Sequence, residues 1–270
     1  YNRWIAEFCR GSRGRLVPIA HLSLMDPEAA AKELERAVKD GCRGAFVTPR
    51  THLSPDSKAH RPLGHSAHDP VFAMAQSLDV PLAIHVGNPF PWDANWFPTL
   101  KADVGAVEPT NREFDPRSPA AYFFDFNAVG IMHGTQRAFV SLFSHGTLEQ
   151  FPKLRVGVLE AQAGWIGSFL DRLDSVWEHV CPAPGRGIPL TEKPSTVFRR
   201  QCFISADPDE ISTAKIMDYV GDDRFMWASD YPHYDHPESW VPELQKLVDP
   251  LPAATRARIL GDNAKAFYRL

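Results

Sequence analysis

Three side chains that could bind a metal ion lie where predicted β-strands end: His85, Glu160 and Asp230. One imidazole and two carboxylates form a ligand set that suits a divalent ion such as zinc, manganese or iron. A bound ion of this kind lowers the pKa of its water towards about 7, which creates a nucleophile at neutral pH. Asp230 would be ionised beside that water and could accept its proton. The three residues therefore predict a metal-assisted reaction with Asp230 as a catalytic group.

The segment Arg224–His236 (RFMWASDYPHYDH) carries the strongest of these signals. Its apolar start is typical of a strand buried on both faces, and Pro232 ends that strand because proline cannot donate a ladder hydrogen bond. Asp230 is therefore expected at the carboxyl end of a buried strand, the edge at which α/β barrels carry their active sites. His233 follows closely and is the second predicted catalytic residue, with a role in orienting substrate or stabilising charge.

Each of these residues also has a simpler interpretation that the sequence leaves open. Aspartate before Tyr-Pro is common in turns, a lone strand histidine is more often a satisfied core residue, and Glu160 could cap the following helix. The chain contains no GxSxG, Walker A, HExxH or GxGxxG motif, so the chemistries of those motifs are unsupported. Three further histidines fit packing, surface or rim positions: His21, His133 and His145. His236, three residues after His233, could bind substrate, support the site residues or simply be exposed.

The elements that must position these groups alternate between strands and helices or long loops. Strands are predicted at residues 16–20, 44–47, 81–86, 154–160, 202–206 and 224–230. Helices are predicted at residues 2–10, 27–40, 69–80, 120–149, 164–180, 207–220 and 252–270. This alternation implies right-handed βαβ units and a parallel sheet. Six strands are two fewer than a closed barrel needs, so the sheet is either open and doubly wound or preceded by two strands upstream of Tyr1.

Two long segments show neither a helical nor a strand period. The polar segment Thr48–Ala67 holds His52, His60 and His65, whereas the segment from Gly87 to about Pro119 is rich in Pro, Trp, Asn and Asp. Loops longer than about 12–15 residues are usually functional or disordered. The tryptophans favour an active-site loop at about 87–119 over a disordered linker.

The composition argues against several classes of partner. A formal net charge of −4 offers no basic surface for nucleic acid or an anionic membrane. No apolar run approaches the roughly 20 residues that span a bilayer, and no secretory leader opens the chain. The four cysteines are scattered without a CxxC pair, so we expect reduced, buried thiols. These features predict a cytoplasmic protein that acts on a small molecule.

Five stretches of the chain resemble the amidohydrolase-related family, in particular the branch that includes aminocarboxymuconate-semialdehyde decarboxylase. They are IHVGN (84–88), SHGTLEQFPKLRVGVLEAQAGWIGSFLDRLD (144–174), ISADPDE (204–210), WASDYPHYD (227–235) and ILGDNAKAFYRL (259–270). The resemblance covers nearly the whole chain and implies an α/β fold, the (β/α)8 TIM barrel. The six strands would be the third to the eighth, so residues 1–270 would form a single domain that lacks the first one or two strands.

The resemblance also implies one divalent metal bound by strand-end residues. By motif, His85 matches the histidine of the family's fifth strand and Asp230 the aspartate of its eighth strand. Glu160 stands where the decarboxylase branch has a histidine on the sixth strand, and the first-strand HxH pair occurs nowhere in this chain. Relatives hydrolyse or decarboxylate small, often aromatic, carboxylic acids, and many of them are dimers.

We therefore expect an enzyme, a metal-dependent hydrolase or non-oxidative decarboxylase of a small, often aromatic, carboxylic acid. Its metal ligands would be His85, Glu160 and Asp230, with zinc expected first and manganese or iron as alternatives. Asp230 would move the proton and His233 would act beside it, and a homodimer is an open option. Two other functions remain: a metal-free barrel that binds a small ligand, and a metal-independent lactone hydrolase.

Overall fold

The structure, a computed structural model, describes residues 1–49, 61–87, 126–233 and 239–270. Its centre is a parallel sheet in which the strands neighbour one another in chain order. The described strands are β1 Ala20–His21, β2 Ala45–Val47, β3 Leu82–His85, β4 Val156–Leu159, β5 Cys202–Ala206 and β6 Phe225–Trp227. All six predicted strands are present, although most are shorter than their predicted ranges and β1 shares only Ala20 with the range predicted for it.

The order of the strands decides between the two architectures that the sequence left open. In a doubly wound sheet the strand order reverses at a switch point, where the crossovers change sides. Here the order runs from β1 to β6 without a reversal. Sequential parallel strands form the wall of a (β/α) barrel, so the doubly wound alternative is wrong.

Alternation along the strands separates two faces of the sheet, because residues paired across neighbouring strands share a face. One row is fully buried in the main hydrophobic core: Val47, Ile84, Val158, Ile204 and Phe225. The opposite face carries the row His21, Phe46, Ala83, Gly157 and Phe203. His85 lies two residues beyond Ala83, so it belongs to this second face at the carboxyl end of β3.

Helices and short turns connect the strands. The helices are α1 Asn2–Arg10, α2 Pro27–Lys39, α3 Asp69–Ser77, α4 Ile131–Ser144, α5 Thr147–Gln150, α6 Ile166–His179, α7 Pro194–Gln201, α8 Thr213–Val220, α9 Trp240–Val248, α10 Ala253–Ala257 and α11 Asn263–Tyr268. Short 3₁₀ turns lie at Ser66–His68 and Asp222–Arg224, and π-helical turns at Phe126–Gly130 and Arg258–Asp262. The predicted cap of α2 is present, since Asp26 Oδ1 accepts the Ala29 N–H at 3.0 Å.

Two predicted helices differ from the structure for identifiable reasons. The helix expected at 120–149 is interrupted at Gly146, whose left-handed φ of 74° separates α4 from α5. The helix expected from Asp207 begins only at Thr213. The residues between form a turn, and the Glu210 side chain bonds to another part of the chain instead of capping its own helix.

Two expectations from composition can also be compared with the structure. All four cysteines are free thiols; Cys9, Cys42 and Cys202 are buried as predicted, whereas Cys181 is partly exposed. Among the described residues, no helix combines the length and the apolar character that crossing a bilayer requires.

Candidate active site

The two predicted carboxylate ligands share an unusual backbone conformation. Glu160 directly follows β4 and Asp230 lies three residues beyond β6, and their φ angles are 52° and 50°. Left-handed conformations of this kind cost about 1–3 kcal/mol in residues other than glycine and cluster at functional sites. Aspartate tolerates them better than glutamate because its short side chain can bond locally. Both strand ends therefore turn sharply where the carboxylates are needed.

His85 ends β3 and lies beside the Glu160 carboxylate. Its Nδ1 is 3.1 Å from the Val86 carbonyl oxygen, and its Nε2 is 3.0 Å from Glu160 Oε2. Because a carbonyl oxygen can only accept, Nδ1 carries the proton and Nε2 presents its lone pair in the neutral ring. Two electron-pair donors that face each other at this distance need a proton or a metal cation between them.

Asp230 and His233 form the second pair of the site. Asp230 Oδ2 is buried and lies 3.5 Å from His233 Nδ1. The His233 N–H also donates to the Asp230 carbonyl oxygen at 2.8 Å, which closes a short turn after β6. Ligand atoms of Glu160, Asp230 and His233 lie within 4.8 Å of one another. Glu160 therefore connects the two pairs: its carboxylate belongs to this three-residue group and also contacts His85, which is not itself a member of the group.

A cavity of about 180 Å³ opens beside these residues and is lined by His85, Glu160 and Asp230. Its other walls are largely apolar, and Ser205 and Asp207 add polar atoms: the lining includes Leu159, Met226, Trp227, Ala264 and Tyr268. Burial raises the pKa of Tyr268 to about 12, so its phenol stays neutral at working pH. The cavity thus has a rim of ionisable groups at the strand ends and a wall that is apolar apart from Ser205 and Asp207.

The donor chemistry of the cluster fits a divalent cation. Two carboxylates and one lone-pair imidazole nitrogen are hard and borderline ligands of the type that manganese, iron and zinc accept. The Val86 carbonyl oxygen receives the other imidazole N–H, and such a bond fixes the tautomer and the ring orientation of metal-binding histidines. His233 is 46% exposed, which suits a residue that meets substrate better than a buried structural ligand.

The remaining described histidines lie outside the cluster. His21 stacks on Phe46 with centroids 4.7 Å apart, and Phe46 lies 5.4 Å from the His85 ring. Burial, together with the nearby His85, lowers the pKa of His21. His68 is buried, with its Nδ1 2.8 Å from the Leu63 carbonyl oxygen. The exposed His133 and His145 lie on or next to α4, in keeping with the surface roles expected of them.

Several predictions fall outside the described residues. They concern His52, His60, His236 and nearly all of the long loop at about 87–119. Two cavity residues with hydroxyl or carboxylate groups at strand ends were missed by sequence reasoning, Ser205 and Asp207. The available signal was the alternation in β5, which places Ser205 on the same face as Phe203 and opposite to Ile204.

Comparisons with known proteins cover the whole chain. A family model described as Amidohydrolase matches residues 1–270. Gamma-resorcylate decarboxylase of Polaromonas sp. (strain JS666) is 25% identical over 279 residues, which covers 100% of this chain and 75% of that protein. The similarity therefore runs through every strand end described above.

Solved structures show a shared fold. 5-Carboxyvanillate decarboxylase from Sphingomonas paucimobilis superposes with a TM-score of 0.77 at 22% identity, covering 100% of this chain and 71% of that one. A dihydroxybenzoic acid decarboxylase from Polaromonas sp. JS666, with bound manganese and the inhibitor 2-nitroresorcinol, gives a TM-score of 0.75 at 22% identity, covering 100% and 74%. Together with the sequential strand order, these likenesses confirm the predicted barrel fold class.

Proposed function

The chain belongs to the amidohydrolase family, and from that premise we propose that it catalyses the non-oxidative decarboxylation of a small aromatic carboxylic acid. It is an enzyme of the amidohydrolase type, a metal-dependent hydrolase or carboxy-lyase. The similar proteins named above are decarboxylases of aromatic acids, which favours the lyase over the hydrolase. The observation that carries the proposal is the convergence of His85, Glu160 and Asp230 on one cavity.

The activity requires a divalent metal, as the manganese in the similar decarboxylase supports. We propose that His85, Glu160 and Asp230 hold it. Two carboxylates to one imidazole favour a hard ion, so manganese suits the ligand set better than zinc, the metal expected first from the sequence. When bound, the ion would act as a Lewis acid that binds the substrate carboxylate and neutralises its charge.

Asp230 is placed to handle the proton of the reaction. Decarboxylation breaks the bond between the ring carbon and the carboxylate carbon. The electron pair of the broken bond stays on the ring carbon while CO₂ leaves. The ring carbon then takes a proton that is delivered by way of Asp230. His233 lies 3.5 Å from Asp230 Oδ2 and is 46% exposed, so it can return a proton from solvent to Asp230.

The cavity supports a small, flat substrate. Its volume of about 180 Å³ is below the roughly 300–1,000 Å³ typical of sites for drug-sized ligands. Leu159, Met226 and Trp227 supply apolar contact for a ring, and His85, Glu160 and Asp230 at the rim would hold the metal that binds the substrate carboxylate. Apolar walls also exclude water, which strengthens every electrostatic interaction at the rim.

The test is a decarboxylation assay of the purified chain with Mn²⁺ and either gamma-resorcylate or 5-carboxyvanillate, with CO₂ release as the signal. We expect release that ends after exhaustive chelation and returns with Mn²⁺. His85→Ala and Asp230→Asn should each lower the bound metal per chain, measured by elemental analysis. A wild-type chain that binds Mn²⁺ without releasing CO₂ from either acid would remove the decarboxylase proposal.

Two outcomes would favour the alternatives. Hydrolysis of a lactone that survives chelation would favour the metal-independent hydrolase, and substrate binding without turnover or metal would favour the metal-free barrel. We also propose that residues 1–270 form one domain. The cytoplasmic location, the homodimer and the active-site role of the loop at about 87–119 stay predictions.

A further inference from the structure

Glu210 is a partly buried carboxylate that the catalytic scheme does not use. It lies in the turn between β5 and α8, where no ligand role was expected of it. Its two oxygens accept the Ala163 N–H at 2.9 and 2.8 Å, and Oε1 also accepts the Gly164 N–H. A longer contact of 3.4 Å joins Oε2 to the Asp207 N–H. One side chain thus connects the loop after β4 to the loop after β5.

The loop that Glu210 binds begins at a metal-ligand candidate. Glu160 and Gln162 both have left-handed backbones, with φ of 52° and 56°, and Ala163 and Gly164 follow directly. A strained conformation persists only where the surroundings enforce it. The described hydrogen bonds that hold the Ala163 and Gly164 N–H groups both end on Glu210.

Burying the Glu210 carboxylate is unfavourable for its charged form, so the hydrogen bonds that it accepts must compensate. Burial raises the pKa of Glu210, while the N–H groups of Ala163, Gly164 and Asp207 oppose that rise by bonding the charged form. The turn is also closely packed, since a Cβ on Gly164 would lie 2.9 Å from Glu210 Oε1 and 3.0 Å from Ser212 Oγ. The arrangement therefore leaves little room for a larger residue at position 164.

We propose that Glu210 is a positioning residue, whose bonds to the loop at 161–164 hold the Glu160 carboxylate 3.0 Å from His85 Nε2. Its relevance to catalysis rests on the proposed function. Residues outside the ligand set that orient metal ligands typically change metal affinity or activity by about 10–100-fold when mutated. Glu210 acts through the backbone that carries Glu160 and does not itself line the cavity.

Two variants disturb this contact in different ways. Glu210→Gln replaces one accepting oxygen with an NH₂ group that cannot accept from the loop amides. Gly164→Ala keeps the carboxylate and instead inserts a methyl group at 2.9 Å from Oε1. A matched control is Asp174→Asn, because Asp174 also accepts a backbone N–H, from Ser195 at 2.9 Å, yet does not line the cavity.

The measurements are the Mn²⁺ dissociation constant, kcat and KM for gamma-resorcylate, the thermal midpoint, and hydrogen exchange of the peptide containing residues 161–165. For Glu210→Gln and Gly164→Ala we expect faster exchange, Mn²⁺ affinity weaker by about 10–100-fold, and a comparable fall in kcat with little change in KM. The control Asp174→Asn should lower the thermal midpoint and leave the Mn²⁺ affinity unchanged.

The outcomes separate this proposal from the proposed function. Unchanged exchange, or metal affinities that fall equally in the Asp174→Asn control, would overturn the positioning role. A wild-type chain that binds Mn²⁺ without decarboxylating would overturn the proposed function alone. The Mn²⁺ affinities of the variants would then still test the positioning role of Glu210. If the wild type binds no Mn²⁺, the function fails, and unchanged exchange in Glu210→Gln overturns the positioning role as well.

Discussion

The two ends of the sheet use polar side chains in opposite ways. At the amino end, Arg155 directly precedes β4; its Nε donates to the Phe267 carbonyl oxygen at 2.9 Å and its Nη2 to the Asp79 carbonyl oxygen at 2.7 Å. At the carboxyl end, His85 and Glu160 face each other at 3.0 Å beside a cavity. Polar groups at the amino end are bonded to backbone and to one another, whereas those at the carboxyl end meet where a ligand can reach them.

A second amino-end group follows the same rule. Asn263 Nδ2 donates to the carbonyl oxygens of Asp222 and Phe225 at 2.8 and 2.7 Å, which ties α11 to the start of β6. The Asp222 carboxylate accepts from the Thr255 hydroxyl and pairs with Arg258. The two edges of the sheet therefore have different roles: side chains at the amino end stabilise the fold, and side chains at the carboxyl end form the candidate active site, as in other barrels of this class.

The strongest test of that separation compares two aspartates. Asp230→Asn should lower kcat/KM for gamma-resorcylate by about 10²–10⁴-fold, because the carboxylate that handles the proton is lost. Its thermal midpoint should hardly change, since asparagine also tolerates left-handed backbone. Asp222→Asn, its amino-end counterpart, should lower the free energy of unfolding by about 1 kcal/mol and leave turnover per folded molecule intact. Equal losses of activity in both variants would contradict the separation.

The largest effect on stability should come from Phe267. This side chain is fully buried, packs on Phe203 with centroids 5.0 Å apart, and sits over Gly157. Phe267→Ala should reduce the free energy of unfolding by about 3–5 kcal/mol, because it removes buried area and leaves a cavity. Urea denaturation followed by circular dichroism measures the loss. A change below 1 kcal/mol would mean that α11 does not anchor the amino end.

Removal of the Arg155 guanidinium at the amino end should have an intermediate effect on the free energy of unfolding. Arg155→Met keeps the aliphatic stem but loses the bonds to Phe267 and Asp79, which should cost about 1–3 kcal/mol of unfolding free energy. The side chain is only 12% exposed, so water replaces those bonds poorly. Mn²⁺ affinity, measured by equilibrium dialysis, should match the wild type. A weaker affinity would show that the two ends are coupled.

The smallest effect on stability is expected at β1. The carboxyl end of this strand differs from the others because its polar groups are bonded to backbone and to one another. Glu33 accepts from Asn2 Nδ2 at 2.8 Å, and Asn2 bonds the backbone N–H and carbonyl of His21 at 2.8 and 2.9 Å. The Arg36 hydrogen bond lowers the pKa of Glu33 to about 2. Because this folded pKa is depressed, the stabilisation is present above the unfolded pKa of about 4.3 and is lost as pH falls towards 2.

Glu33→Gln should therefore flatten the decline of stability between about pH 4.3 and pH 2. The difference should stay below about 1 kcal/mol, since both side chains of the pair are partly exposed to solvent, which screens their interaction. Denaturation midpoints at neutral and acidic pH measure it, and turnover at neutral pH serves as the control. An identical pH profile in wild type and variant would show that this pair stabilises nothing.

Local patterns were sufficient to predict most of the elements. The strand at residues 202–206 has the predicted bounds, and Asp26 caps α2 at the predicted residue. Both follow from preferences that act over a few residues: the pairing of apolar runs and the side-chain acceptor at a helix start. The predicted start of α8 at Asp207 was wrong, because Glu210 bonds to Ala163 and Gly164. These residues are more than forty positions away, and no local preference reveals such a contact.

The sequence by itself determined which residues stand at the strand ends: His85, Glu160 and Asp230. It could do so because parallel strands place their carboxyl ends at one edge, whatever the exact packing. Tertiary structure alone decided that Glu160 reaches His85 at 3.0 Å, and that His233 joins the cluster while His21 stacks on Phe46. Those choices depend on distances and backbone turns that contacts distant in sequence enforce.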